Sequence, residues 1–293
     1  MVNLIKHCIF LLFVGVLTGC AIDVSSSSYL YQDASTQPID VTALSKSISR
    51  DEAVATITKV ELKNSLDLTL NGVAVTYPHA IANVVLFADN EMSITKNSAM
   101  LHEFGQLPVN VLWVDYQGTG ASEKASRVRM YQLKRDALLI FDFAKHHFKN
   151  NLPTVVHGIS MGSILASYVA VKRDIDGLVL DSAINKVNDV VANMVPSWTH
   201  LFTILKVSPE LAIIENEDFV RQFDRPLLLV VGDKDRTTPI TFSRELYEAS
   251  PSPDKWIYVV PGGKHNKSMT YPDVKGQYRL FIRAVRRLKG ARS

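Results

Sequence analysis

The chain is 293 residues long, 47% hydrophobic and 21% charged, with a formal net charge of +3. That hydrophobic share excludes a disordered chain, the length suffices for a large core, and the charge is too mild for a nucleic-acid binder. With only Cys8 and Cys20 present, a disulfide framework and a cysteine-based metal site are excluded as well.

The first residues do not read as part of a fold. Lys6 and His7 give a weakly basic start, and Cys8 to Val16 is an apolar run too short to span a bilayer. This is the pattern of a signal-peptide h-region. Leu17-Thr18-Gly19-Cys20 then resembles the lipobox of bacterial lipoproteins. The resemblance implies removal of residues 1–19, acylation of Cys20 and a lipid anchor in the bacterial cell envelope. Ala21, in place of Asp, resembles lipoproteins sent on to an outer membrane, here facing the periplasm. Residues 20–45, with Ser25-Ser26-Ser27-Ser28 and little apolar periodicity, are expected to form a flexible tether.

Residues 50–293 read as one α/β domain. Leu66–Leu70 and Val73–Tyr77 flank Asn71-Gly72, which predicts a hairpin closed by a type I′ turn. Apolar strands at Val84–Phe87, Val109–Val114, Thr154–His157, Leu178–Leu180, Leu227–Val231 and Trp256–Val260 alternate with helical segments near 92–104, 129–149, 161–171 and 240–249. Nearly continuous apolar strands with crossover helices imply a parallel sheet covered on both faces. Between about 184 and 225 no strand is expected. The segment carries Val190, Val191, Met194, Val195, Trp198, Leu201, Phe202 and Leu205, which suit ordinary helical packing and a substrate-receiving cap alike. The last helix pairs a stripe of Leu280, Phe281, Ala284, Val285 and Leu288 with a basic face of Arg279, Arg283, Arg286, Arg287 and Lys289.

Gly158-Ile159-Ser160-Met161-Gly162 stands between a strand and a helix. A G-x-S-x-G pentapeptide in that position forms a nucleophile elbow, which lifts a serine hydroxyl clear of the sheet. Such a serine needs a base, and the base an orienting acid, collected at the C-terminal ends of the strands. His265, in Pro261-Gly-Gly-Lys-His265-Asn266 after the last strand, is the candidate base. His157 lies just before the elbow and reads as structural, His146 and His147 fall in a polar helix end, and His200 falls in the cap. For the acid, Asp235 reaches furthest into its loop. Asp233 suits a turn-shaping role, and Asp181, at a strand end, is a third option.

These motifs together resemble the α/β-hydrolase fold, and within it the lid-poor esterases, thioesterases and depalmitoylase-like hydrolases. Asp115-Tyr-Gln-Gly-Thr-Gly-Ala-Ser122 is similar to that branch's D-Y-R-G-x-G-x-S loop. Gly158–Gly162 is similar to its elbow, Gly232–Asp235 to its acid loop and Gly263–Asn266 to its histidine loop. The resemblance spans about residues 65–288 and implies Ser160, Asp235 and His265 as a catalytic triad without a cofactor. It implies an oxyanion hole from the backbone N–H groups of Met161 and Asn90. The branch has His-Gly-Asn where this chain has Ala88-Asp89-Asn90, and Asp89 brings negative charge to the place where more must form. The implied function is hydrolysis of a small-molecule acyl ester or thioester through an acyl-enzyme. Amide or peptide hydrolysis by the same residues, and a catalytically silent binding lipoprotein, are the alternatives.

Overall fold

In the computed structural model, residues 20–48, 55–195 and 203–291 are described. The signal segment 1–19, the domain start at 50–54 and, in the cap, Trp198, His200, Leu201 and Phe202 lie outside the described residues. Elements run in the order β1 (Cys20–Val24), α1 (Ser26–Tyr29), α2 (Val41–Ile48), β2 (Thr56–Lys63), β3 (Thr69–Thr76), β4 (Ala82–Phe87), α3 (Ala99–Gly105), β5 (Val109–Val114) and α4 (Met130–Phe148). They continue with β6 (Thr154–Ile159), α5 (Met161–Lys172), β7 (Gly177–Asp181), α6 (Val187–Met194), β8 (Thr203–Val207), α7 (Pro209–Ala212) and α8 (Asn216–Val220). Last come β9 (Leu227–Gly232), α9 (Ile240–Ala249), β10 (Lys255–Val260) and α10 (Pro272–Gly290).

The apolar strands pair as their composition demands. Eight of them form one sheet in the order β10-β9-β7-β6-β4-β5-β3-β2. Every pairing is parallel except those of β3, which runs against β2 and β5. Alternation along the strands builds a core on each face. Val85 and Phe87 face α4 and α5 through Leu133, Ile140, Ile164 and Leu165, whereas Val84 and Leu86 share a core with Phe104, Tyr278 and Ile282. The register brings Phe87 beside Gly158, Ile159 beside Asp181 and Asp181 beside Val230. The C-terminal ends of β4, β6, β7 and β9 therefore meet at one edge.

Three local expectations need correction. Asn71-Gly72 is not a turn: it lies inside β3, and the hairpin closes instead at Asn64–Leu68, where Asn64 Oδ1 accepts the N–H groups of Leu66 and Leu68 at 2.9 and 3.0 Å. Gly72 is needed for close approach, since a Cβ there would sit 2.4 Å from the Trp113 carbonyl oxygen. The helix expected at 92–104 is confined to Ala99–Gly105, because the preceding residues turn under Asp115, which accepts the Ile94 N–H at 2.8 Å. In α10, Leu280 is exposed, and the buried stripe is Val274, Tyr278, Phe281, Ile282 and Val285.

The largest difference concerns the expected tether and cap. Residues 20–48 pack on the domain. β1 pairs in parallel with β8, from Cys20 beside Thr203 to Val24 beside Val207, and Leu30, Leu44 and Ile48 are buried. The cap region thus contains a strand, β8, whose ladder partner comes from the other end of the sequence. Asp33 ties the segment further. It accepts the Gly120 N–H at 2.7 Å and pairs with Lys96.

Candidate active site

Ser160 sits between β6 and α5 with φ +52° and ψ −118°, outside the regions an L residue prefers. Strain of this kind persists only where the surroundings enforce it. Here they do. A Cβ on Gly162 would lie 2.1 Å from the Phe87 carbonyl oxygen, and one on Gly158 would lie 2.5 Å from the Gly162 carbonyl oxygen. The turn is as tight as the packing of β4, β6 and α5 permits, and its tip carries the hydroxyl.

The structure brings Ser160, His265 and Asp235 into one line. His265 Nε2 lies 3.1 Å from Ser160 Oγ, and His265 Nδ1 lies 2.8 Å from Asp235 Oδ2. Asp235 is fixed by the Thr237 and Thr238 N–H groups on Oδ1, at 3.0 and 2.9 Å, and by the Thr238 hydroxyl on Oδ2 at 2.8 Å. The two competing acids bond elsewhere. Asp233 accepts the Gly262 N–H at 2.8 Å and shapes the loop, while Asp181 accepts the Ser268 hydroxyl at 2.7 Å. His157 stacks on Tyr278 in the opposite core, its ring centroid 5.6 Å away, and burial drives its pKa down to about 3. His146 Nδ1 bonds the Asp142 carbonyl within its own helix, and His147 stacks on Phe143.

The electrostatics suit a base that holds its proton firmly. Burial opposes charge on His265, but the Asp235 hydrogen bond and charge, reinforced by Asp89 and Asp181, outweigh it and raise the imidazole above its ordinary value of 6.5. Burial likewise opposes charge on Asp235, and its bonds from His265 and Thr238 overcome this and hold it below the usual carboxylate range. Asp181 is pushed up to about 6, chiefly by burial.

The second half of the expected oxyanion hole is occupied. Met161 opens α5, so its N–H has no partner in the helix ladder. The Asn90 N–H, by contrast, donates to the Asp89 carboxylate at 2.7 Å. Asp89 also accepts the Asn266 side-chain amide. The Asn90 side chain is engaged too, accepting the Tyr31 N–H at 3.0 Å and donating to the Tyr29 carbonyl at 2.6 Å. Tyr116 buttresses the loop from below, its hydroxyl donating to the Ala88 carbonyl at 2.8 Å. If the Asn90 N–H is the second donor, Asp89→Gly frees it. The expected result is a rise in kcat of about 10²-fold, the lower end of what one such donor contributes. Asp89→Asn removes only the charge and keeps an acceptor beside the N–H, so it is expected to gain far less. Rates on p-nitrophenyl butyrate check both.

A cavity of about 460 Å³ opens over Ser160 and His265, within the size range of small-molecule sites. Ile184, Val190, Val191 and Met194 line it from the cap, and Ile22, Val24 and Tyr29 line it from the N-terminal segment. Sequence reasoning missed the N-terminal lining, and it missed Thr238 and Asn266. Asn266 has φ +58°, a conformation in which Asn is enriched, so its position after the histidine was the available signal.

A strained serine on a strand–helix elbow, hydrogen-bonded to a histidine after β10 that in turn meets an aspartate after β9, defines an α/β-hydrolase. The chain belongs to the family described as serine aminopeptidase, S33, whose family model matches residues 78–225, about half of its length. It is 29% identical over 168 residues to the uncharacterized membrane protein YNL320W of Saccharomyces cerevisiae, covering 57% of this chain and 58% of that one. It is 25% identical over 193 residues to the human protein ABHD12B, covering 59% of this chain and 52% of that one. The chain thus spans little more than half the length of these curated relatives. Its fold is similar to that of the esterase Pf2001 of Pyrococcus furiosus, with a TM-score of 0.69 at 16% identity over 87% of this chain and 97% of the other. It is also similar to the esterase domain of a Rhodothermus marinus protein, with a TM-score of 0.58 at 17% identity, covering 79% and 99%.

Proposed function

We propose that the protein is a lipid-anchored serine hydrolase that cleaves carboxylic esters or thioesters. One observation carries the reading: the continuous line from Asp235 through His265 to Ser160, with contacts of 2.8 and 3.1 Å. In this scheme His265 Nε2 takes the Ser160 proton as Oγ attacks the acyl carbonyl. The Met161 N–H stabilises the oxyanion, and His265 returns the proton to the leaving alcohol or thiol. Water then attacks the acyl-serine ester by the same route, which releases the acid and restores Ser160. Asp235 fixes the tautomer that leaves Nε2 free to accept. The apolar walls of the cavity suit an acyl chain, and the esterases among the similar folds act on bonds of this kind.

The anchor belongs to the same proposal. Cys20 opens β1 and Ile22 lines the cavity, so about 7 Å of extended strand separates the lipidated position from the site. An acylated Cys20 holds the cavity mouth at the bilayer, in the envelope of a bacterial cell.

Amide hydrolysis is the second reading, favoured by one feature. The cavity lining carries Asp23, Asp89 and Glu91 and, among the described residues, no Lys or Arg, a setting that suits a protonated amine. A comparison of p-nitrophenyl esters with aminoacyl p-nitroanilides decides between them. On the ester reading kcat/KM for p-nitrophenyl butyrate exceeds that for any anilide by at least about 10²-fold. Faster cleavage of an anilide overturns it.

A further inference from the structure

The N-terminal segment is built into the site. Its strand β1 is held by the ladder to β8, the Ser208 N–H donates to the Val24 carbonyl at 2.9 Å, and the Ser26 hydroxyl donates to Glu210 at 2.9 Å. Beyond α1 the chain is clamped to the oxyanion loop through the paired bonds between Asn90 and the backbone of Tyr29 and Tyr31. Strand alternation places Ile22 and Val24 on one face of β1, and both line the cavity that holds Ser160, as does Asp23 between them. Val190, Val191 and Met194 of α6 line the same cavity. Ile22 is 40% and Met194 is 64% exposed, so two large apolar side chains face open space beside a reactive hydroxyl. Apolar surface that close to a nucleophile is covered when an apolar ligand enters.

We infer that β1 is a specificity-determining wall: the acyl chain of the substrate lies between Ile22 and Val24 on one side and α6 on the other. This rests on the ester-hydrolase reading for its substrate class. It goes beyond that reading by assigning chain-length selection to the segment that follows Cys20, outside the residues 78–225 that define the family match. Enlarging a side chain on this wall shortens the space for the acyl chain and leaves Ser160, His265, Asp235 and Met161 themselves unaltered. Long esters therefore lose far more rate than short ones.

Binding is measured apart from turnover in a Ser160→Ala background, by displacing the neutral fluorophore N-phenyl-1-naphthylamine with methyl decanoate or methyl acetate. Val24→Trp, or Ile22→Trp at the more exposed position, is expected to weaken methyl decanoate at least about tenfold, the scale set by a few methylenes in an apolar pocket. Methyl acetate is expected to change less than twofold. Leu66→Trp, at an exposed position remote from the cavity, controls for the added indole and is expected to change neither. Equal decanoate affinity with and without the tryptophan at 24 or 22, or equal losses for both esters, overturns the assignment. Retained discrimination in a chain whose native form turns over no ester leaves the wall standing and defeats the hydrolase reading instead.

Discussion

Ser160→Ala is expected to lower kcat on a p-nitrophenyl ester by about 10⁶-fold, the scale seen when the nucleophile of a Ser-His-Asp unit is removed. The expectation follows from how the three groups depend on one another. Among the described residues, the hydroxyl that His265 Nε2 meets is that of Ser160, at 3.1 Å, while Nδ1 is held by Asp235 and by Thr238 Oγ1 at 3.2 Å. Without Ser160 Oγ, Nε2 loses its hydroxyl partner among the described residues, and the acyl-enzyme at Ser160 cannot form. Adding His265→Ala to Ser160→Ala is therefore expected to cost little more, because the unit has already failed. Stability should change little. The strained φ of position 160 is imposed by Gly158, Gly162 and the β4 backbone, whatever its side chain. Steady-state rates with far-UV circular dichroism as a fold control check the pair of expectations. A Ser160→Ala protein that retains a tenth of its activity contradicts the mechanism.

Asp235→Asn is expected to cost about 10⁴-fold in kcat, the scale of a wrong imidazole tautomer. The Asp235 carboxylate accepts from Thr237, Thr238 and His265 together. An asparagine satisfies the two backbone N–H groups with its oxygen and must then present its NH₂ to His265 Nδ1. That turns Nδ1 into an acceptor and moves the proton to Nε2, where it blocks transfer from Ser160. The pH profile shifts as well. Activity needs neutral His265, whose native value is raised above 6.5, so the acidic limb of kcat/KM lies above that pH. Removing the Asp235 bond and charge lowers the imidazole pKa, so the limb moves to lower pH in the variant. Asp89 and Asp181 still raise it in part. If Asp235→Asn keeps most of its activity while Asp181→Asn loses it, the orienting acid is Asp181.

The sheet was legible wherever a strand buries both faces, because Val84–Phe87 or Leu227–Val231 can be little else. Ser160, His265 and Asp235 were legible for a related reason. Ser160 and Asp235 lie just after such strands, His265 lies just after the edge strand β10, and a parallel sheet brings those loops to one edge. What escaped depends on partners distant in sequence. β1 pairs with β8 across about 180 residues, and neither Cys20–Val24 nor Thr203–Val207 has a long enough apolar pattern to announce a strand. Asn71-Gly72 carries the local chemistry of a turn, yet the glycine is there because Trp113 and Val114 of the neighbouring strand leave no room for a Cβ. Asp89 was visible as an anomaly. That its carboxylate caps the N–H of the very next residue depends on a rotamer, which composition does not encode. This capping also gives physical content to the silent-protein alternative, since it removes one donor without disturbing the triad.

The most direct test of the central claim is covalent. The protein is incubated with a fluorophosphonate, and the adduct is located by peptide mass analysis. The hydrolase account requires one adduct, on Ser160, formed in the native protein and in Asp89→Gly and absent from Ser160→Ala. A folded native protein that stays unlabelled, or that is labelled at another serine, contradicts it.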